Sequence, residues 1–360
     1  MEYKPDFEEA TRRIQAFWAH DCIDRCALQV VAHVDPLRFV PDEAAHNAPG
    51  DALARKTDVE YVLRQAETHF GTHRFMAEAV PVYTPGLVCS DTAAYLSDEI
   101  TVTDDTVWYP RIIEDWATFE MRFDPGNRWW QLTKRMASAA AERGAGRYLV
   151  GVPDFQAGID IVSLLRSPES VCLDLRENPD AIKRATAFVL RDVYARCYDD
   201  IRGIVRQHGE WVGDWMGLFS TGNHDIVQCD FIALISPRHF EEFCLPDIEW
   251  MCQRLDTAIF HLDGPDAVRH LDALLEIDEL DAIQWVPGAG SPSAAAWLPM
   301  LRKVQAAGKS LYISAPSDDV DDIMQALRPE GLMISVEGVF SSMEAAQSFI
   351  GGVERMCVRL

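Results

Sequence analysis

The stretch Ala258-Ile-Phe-His-Leu-Asp-Gly-Pro265 decides how this chain folds. It is an apolar strand that ends in His261-x-Asp263 and continues through Gly264-Pro265 into an amphipathic helix. Residues two apart in a strand share a face, so the imidazole of His261 and the carboxylate of Asp263 point the same way. The sequence therefore places two groups suited to metal binding or acid–base chemistry where a strand meets its loop.

The same strand–helix alternation runs through the whole chain. Candidate strands in the second half lie at 211–215, 257–262, 282–286, 311–315 and 332–336. Each is followed by a helical pattern, and Ser236-Pro237 opens one of them, over 237–255, as N-cap and first-turn proline. Such alternation is typical of a parallel sheet with helical crossovers.

The first half adds three strands, at 27–33, 79–83 and 147–151. Eight strand–helix units predict an α/β fold, a closed (β/α)₈ barrel in which residues 1–360 form one domain. Helix 6–19 is expected to cap it at the N-terminal end. The polar segment 97–109 is expected to form an inserted β-hairpin that turns at Asp104-Asp105.

Composition restricts the class of partner. The chain has 33 Lys+Arg against 57 Asp+Glu, a formal charge of −24. This charge repels nucleic acid and anionic lipid, so neither is expected as a partner. No apolar run reaches the length of a membrane span, and the start, MEYKPDFEEATRR, lacks the apolar core of a signal peptide, which predicts a cytoplasmic protein. Nine cysteines without a C-x-x-C are expected to stay reduced.

Polar side chains follow the apolar strands at the predicted C-terminal rim of the barrel, where chemistry is expected. The residues expected to bind a small-molecule substrate are His33, Asp35, Gln156, Trp215, Gln284 and Trp285. Asp214 is expected to act in catalysis, and His224 is a candidate acid–base group on a mobile lid at Gly222–Asp225. Two alternatives stay open: an ordinary turn at 222–225, and turn or cap roles for single aspartates at strand ends.

His261, Asp263 and Glu337 form the candidate metal site. One imidazole and two carboxylates suit Zn²⁺ or, because two ligands are hard oxygens, Mn²⁺ or Fe²⁺. The alternative is a metal-free acid–base cluster. The turn at 286–290 has neither the glycine spacing nor the lysine of a P-loop, so no nucleotide cofactor is expected.

Four segments of the second half have a combined pattern that is typical of a known family: 228–251 (QCDFIALISPRHFEEFCLPDIEWM), 260–277 (FHLDGPDAVRHLDALLEI), 281–290 (DAIQWVPGAG) and 334–350 (ISVEGVFSSMEAAQSFI). In these segments the chain resembles the uroporphyrinogen decarboxylase superfamily, which includes zinc-dependent methyltransferases that serve corrinoid proteins or coenzyme M. The resemblance implies a (β/α)₈ barrel. It also implies that Asp230 lies in a loop leading to the active site, which makes Asp230 a third candidate catalytic residue.

The departures from the superfamily pattern narrow the function. The related methyltransferases bind zinc through a His-x-Cys pair and a later Cys, whereas this chain keeps only the histidine, His261, with Asp263 and Glu337 at the cysteine positions. In the segment 24–36 (DRCALQVVAHVDP), Arg25 is the only arginine before the first strand, so the Arg-rich motif with which the true decarboxylases bind a tetrapyrrole is missing. The resemblance thus describes a divergent member, not a true uroporphyrinogen decarboxylase.

Three functions follow as hypotheses. The first is a metal-dependent methyltransferase or demethylase that acts on a small methylated compound, with a corrinoid protein as candidate partner. The second is a lyase or decarboxylase for a carboxylated or sugar-like compound. The third is a non-catalytic barrel that binds a ligand. The superfamily's habit of dimerising makes a homodimer an option.

Overall fold

A seven-stranded sheet, six of whose strands run parallel, forms the centre of the molecule. The computed structural model describes residues 1–34, 49–87 and 89–357. In chain order the strands are β1 (Ala27–His33), β2 (His73–Ala77), β3 (Val82–Tyr83), β4 (Thr101–Val102), β5 (Val107–Trp108), β6 (Leu149–Val150), β7 (Val212–Gly213), β8 (Phe219–Ser220), β9 (His224–Gln228), β10 (Thr257–Asp263), β11 (Ala282–Val286), β12 (Ser310–Ala315) and β13 (Leu332–Val336). The large sheet has the order β2-β1-β13-β12-β11-β10-β9.

Helices connect most of the strands. The α-helices are Phe7–Trp18, Ala52–Thr57, Val59–Thr72, Asp91–Tyr95, Arg128–Gly144, Gly158–Arg166, Pro168–Glu177, Pro179–Phe188, Ala195–Val205, Pro237–Phe243, Leu245–Arg254, Leu271–Leu275, Leu298–Ala306, Val320–Ala326 and Met343–Cys357. A π-helical turn, Val189–Tyr194, joins two of them. Of the described helices, none combines the length and apolar character needed to cross a bilayer.

Most of the predicted elements are confirmed. The strands predicted at 27–33, 257–262, 282–286, 311–315 and 332–336 are all present, and parallel. Ser236 accepts a hydrogen bond from the backbone N–H of His239 at 3.4 Å, as a helix N-cap does, and Pro237 follows in the first turn. The inserted hairpin is β4 and β5, and the predicted N-terminal helix is Phe7–Trp18.

The strand predicted at 211–215 is present only as Val212–Gly213, and it lies outside the large sheet. It forms a parallel bridge to Gly151 through Gly213 and pairs antiparallel with Phe219–Ser220, because Asp214 accepts hydrogen bonds from the backbone N–H groups of Met216 and Leu218 and closes a tight turn. The strand that pairs with β10 is β9, in the segment predicted as a lid or turn. Its polar residues can be buried because each has a partner: His224 contacts Asp214, Asp225 accepts from Tyr194, and Gln228 donates to Asp154.

Alternation along the strands separates two apolar cores. Ile226, Ile259, Ala282, Tyr312 and Met333 belong to one buried cluster, together with residues of the N-terminal helix. Their strand neighbours, such as Phe260 and Ile283, belong to the larger cluster formed with the surrounding helices. Successive side chains point to opposite faces, so within each strand every second residue joins the same core.

The small parallel sheet of β3 and β6 lies apart from the large one in the described pairing. Leu149 donates its backbone N–H to Pro81, and Gly151 forms an isolated parallel bridge with Gly213. The strands predicted at 79–83 and 147–151 are therefore present but short.

Candidate functional site

The candidate site lies at the carboxyl ends of β9, β10 and β11. Cross-strand register places Gln228, His261 and Gln284 side by side. Each lies two residues beyond a member of the inner cluster (Ile226, Ile259 and Ala282), so all three point to the same inner face. Asp263 follows His261 on that face, and Asp230 follows Gln228 where β9 ends.

Three of these side chains converge. Asp230, His261 and Asp263 each offer one ligand atom, and these atoms all lie within 4.8 Å of one another. No cysteine among the described residues joins this group. An imidazole and two carboxylates at this spacing form a donor set suited to a divalent ion that accepts nitrogen and hard oxygen.

Hydrogen bonds orient the members of this group. Nδ1 of His261 lies 2.5 Å from Oε1 of Gln284. A carbonyl oxygen only accepts, so Nδ1 carries the proton and Nε2 keeps the lone pair that a metal or substrate proton needs. Gln156 donates from Nε2 to Asp230 at 3.2 Å and accepts at Oε1 from the Ser90 hydroxyl at 2.5 Å.

Gln156 holds this position with a left-handed backbone, φ 47°. That conformation is uncommon for a residue with a side chain and is found where surrounding contacts enforce it. Here the enforcing contacts include a hydrogen bond from the Thr92 hydroxyl to the Gln156 carbonyl, at 3.1 Å.

Asp160 holds the backbone at Asp230 and Phe231, where the chain leaves β9. Its carboxylate accepts from the backbone N–H groups of Asp230 and Phe231, both at 2.9 Å. Burial, reinforced by the charge of Asp230, raises the pKa of Asp160 to about 7. The sequence analysis missed Asp160, because an acid within the helix Gly158–Arg166 carries no signal for this tertiary contact.

Asp154 provides a further carboxylate beside the group. Its Oδ1 accepts from Gln228 at 2.7 Å. Burial raises the pKa of Asp154 to about 6, while Gln228 and the neighbouring His261 oppose the rise. Desolvation likewise raises the pKa of Asp230, against the opposing effect of His261. The site thus concentrates negative charge around one imidazole.

Two cavities are connected to the site through Trp215, which lines both of them together with Thr84. The larger, about 250 Å³, is lined by apolar side chains that include Val31, Phe75 and Val82. The smaller, about 220 Å³, is lined by Asp91 and Asp154 as well as by the turn 84–87. The ring of Trp215 lies edge-on to that of His261, with centroids 5.5 Å apart.

Asp214 and His224 are placed away from this group. His224 begins β9, whereas Asp230 follows its other end. Both side chains are buried, and Nε2 of His224 contacts Oδ2 of Asp214 at 2.8 Å. Asp214 lines the larger cavity, but its Oδ1 accepts hydrogen bonds from the backbone N–H groups of Met216 and Leu218 in the turn between β7 and β8. The hypothesis of a mobile lid at 222–225 is wrong at His224 and Asp225, which lie in a buried strand.

The other predicted substrate and metal residues are dispersed. Trp285 points outward and packs against the tilted ring of Trp297, with centroids 4.9 Å apart. Glu337 is exposed and lies outside the converging group. The half-buried His33 packs against His73, with ring centroids 5.0 Å apart. Asp35 lies outside the described residues.

Comparison with known proteins identifies the fold. No family model matches the chain, and no curated protein sequence matches it. Among solved structures, a methyltransferase from Methanosarcina mazei superposes with a TM-score of 0.61 at 12% identity, over 96% of this chain and 98% of that one. This likeness shows the fold, and it agrees with the resemblance to the uroporphyrinogen decarboxylase superfamily as a divergent member.

Proposed function

We propose that this protein is a metal-dependent methyltransferase that acts on a small methylated compound. The convergence of Asp230, His261 and Asp263 at the ends of adjacent parallel strands carries the proposal. Two further observations support it: the fold is shared with a protein described as a methyltransferase, and two cavities are lined by Trp215, whose ring packs against that of His261.

The proposed ligand set is His261, Asp263 and Asp230. His261 and Asp263 are the ligands suggested by the sequence, and Asp230 replaces Glu337 as the third ligand of the proposed set. A set with two carboxylates and no thiolate suits Mn²⁺ or Fe²⁺ as well as Zn²⁺. A divalent ion held there would supply Lewis acidity toward a substrate heteroatom.

The protein's own residues prepare this site. Gln284 selects the His261 tautomer, and Gln156 together with Asp160 holds Asp230 in place. The ring of Trp215 packs edge-on against that of His261. Such outer contacts are expected to matter because they fix ligand orientation before binding.

We also propose that the sheet closes into an eight-stranded barrel. The closing strands would be those around β3 and β6, between β1 and β9. The backbone N–H of Glu78 donates to Leu28 at 2.7 Å, which extends the antiparallel β1–β2 ladder by one residue and leads the chain along the edge of β1 toward β3. The side chains of Asp154, beyond β6, and Gln228, in β9, bond at 2.7 Å and so link the other end.

Metal retention tests the function. Chelator-treated protein, reconstituted with Zn²⁺, Mn²⁺ or Fe²⁺ and desalted, should keep about one equivalent of one metal. His261→Ala and Asp230→Asn should lose it, whereas Glu337→Gln, an exposed acid outside the group, serves as the matched control and should keep it. Metal-free wild type, or a His261→Ala variant that binds as much metal as wild type, would refute the metal site.

A metal-free lyase or decarboxylase is the second candidate. The observation that favours it is Asp154, a half-buried acid beside His261 whose pKa is raised to about 6. Groups that titrate near neutral pH suit general acid–base chemistry. Methyl transfer to a corrinoid protein, abolished by chelators, would support the first candidate; turnover unaffected by chelators would support the second.

A further inference from the structure

His270 connects the two turns that adjoin the proposed metal ligands. The turn Asp230–Leu234 follows β9 and begins with Asp230, and the turn Pro265–His270 follows β10 and begins two residues after Asp263. Because β9 and β10 are neighbouring parallel strands, both turns leave the sheet at the same edge. The position of Asp230 relative to Asp263 therefore depends on how the two turns are held together.

A side-chain hydrogen bond joins these turns. Nε2 of His270 lies 2.9 Å from the backbone carbonyl oxygen of Ile232. Because a carbonyl oxygen only accepts, Nε2 carries the proton and donates. Burial lowers the pKa of His270, although the contact with Ile232 opposes the change, so the ring is neutral near pH 7. In the part of the chain that the structure describes, no other residue of either turn hydrogen-bonds to the opposite turn.

Packing holds the His270 ring at this place. The residue is 2% exposed, and its ring packs against the tilted ring of Phe240, with centroids 4.5 Å apart. Ile232 is buried as well, and its carbonyl also accepts from the backbone N–H of Ile235 at 3.3 Å. A buried hydrogen bond is stronger than one in water because the local dielectric constant is low. The link between the two turns is therefore a fixed contact.

The turn of Asp230 is thus held by two separate contacts. Asp160 accepts from the backbone N–H groups of Asp230 and Phe231 and ties the turn to a neighbouring helix. His270 donates to the carbonyl of Ile232, two residues beyond Asp230, and ties the turn to the segment that follows β10. The second contact therefore joins Asp230 to the strand that carries the other two proposed ligands.

We propose that His270 is a positioning residue of the metal site, which ties the turn of Asp230 to β10 and so keeps the Asp230 carboxylate within reach of an ion on His261 and Asp263. His270 acts through the backbone of the turn and is not itself a ligand. This inference rests on the proposed function, because it presupposes that the three residues bind metal. Without the hydrogen bond, metal affinity should fall because one ligand is no longer oriented before binding.

Calorimetric titration of chelator-treated protein with Zn²⁺ tests the proposal. Zn²⁺ is the probe because it accepts imidazole and carboxylate ligands and has no redox chemistry. His270→Phe keeps an aromatic ring against Phe240 but removes the donor, so it should bind Zn²⁺ at least about tenfold more weakly than wild type. His270→Gln restores an N–H donor at a similar reach and should bind within about threefold of wild type.

Leu274→Ala is the matched control. Leu274 is fully buried one helical turn beyond His270, so its truncation destabilises the same segment without removing the hydrogen bond, and Zn²⁺ affinity should match wild type. If His270→Phe does not fold, His270→Asn takes its place, because the shorter amide does not reach the Ile232 carbonyl.

Three results would overturn the proposal. They are wild-type affinity in His270→Phe, equal weakening in His270→Phe and His270→Gln, and equal weakening in His270→Phe and Leu274→Ala. In each case wild type still binds Zn²⁺, so the positioning role alone is refuted. Wild type that binds no Zn²⁺ would instead refute the metal site of the proposed function, and the positioning role with it.

Discussion

Gln284 and His261, on adjacent parallel strands, share a 2.5 Å contact between Oε1 and Nδ1 that determines which imidazole nitrogen faces the two aspartates. The contact exists because register pairs these two residues directly and both point inward. A ligand histidine is commonly oriented in this way by an acceptor at its second nitrogen.

Gln284→Ala should therefore weaken metal binding without unfolding the protein. Loss of the acceptor frees the His261 ring to rotate and to change tautomer, and the expected loss of affinity is about 10–100-fold. Gln284→Glu keeps an acceptor at the same position and should bind metal at least as well as wild type. Titration of chelator-treated protein measures both, and unaltered affinity in Gln284→Ala would show that the contact does not orient a ligand.

Trp285→Ala should affect stability alone. Because Trp285 points into the outer core, where it is fully buried against Trp297, its truncation should cost about 3–5 kcal/mol. Denaturant unfolding measures the loss. Metal retention by the folded variant should match wild type. A stable variant with impaired metal or ligand binding would instead place Trp285 in the site, as the sequence suggested.

Asp225 should make the protein less stable as pH rises. Burial raises its pKa to about 7, although the Tyr194 hydroxyl at 2.6 Å and the backbone N–H of Ile226 oppose the rise. The folded state therefore keeps a proton that the unfolded chain releases near pH 4, and stability falls between about pH 4 and pH 7.

Asp225→Asn should remove that contribution. The variant should match wild type near pH 4 and exceed it at pH 8 by on the order of 2 kcal/mol. Unfolding free energies across this range provide the measurement. His224, whose pKa is also raised by Asp214, should remain as a separate source of pH dependence in both proteins. Parallel curves for wild type and variant would contradict the prediction.

Nucleic acid should not bind at physiological salt. The formal charge of −24 repels a phosphate backbone, and this repulsion does not depend on base sequence. A fluorescent oligonucleotide titrated with protein should show no change in anisotropy at low micromolar concentration. A change that is abolished by added salt would show a basic surface that the overall charge hides.

Much of the fold was determined by local sequence. Short apolar runs such as 282–286 and 332–336 are each followed by a helical pattern. Such runs are typical of parallel strands that are buried on both faces and joined by helical crossovers, so the alternation sufficed to predict them. Within β10, the period of two already placed His261 and Asp263 on one face. The same period, applied to β11, puts Gln284 inward and Trp285 outward, so one of these two substrate predictions was excluded by the sequence itself.

Tertiary structure decided which residues meet. His224, Asp225 and Gln228 form a polar segment typical of a turn, and they become a buried strand only because Asp214, Tyr194 and Asp154 supply partners from distant parts of the chain. The third acid of the candidate site was decided in the same way. Asp230 follows β9, and Glu337 follows β13. Of these two strands, only β9 is a neighbour of β10 in the sheet, so Asp230 and not Glu337 reaches His261 and Asp263. Strand order depends on contacts between distant segments, which local sequence patterns do not encode.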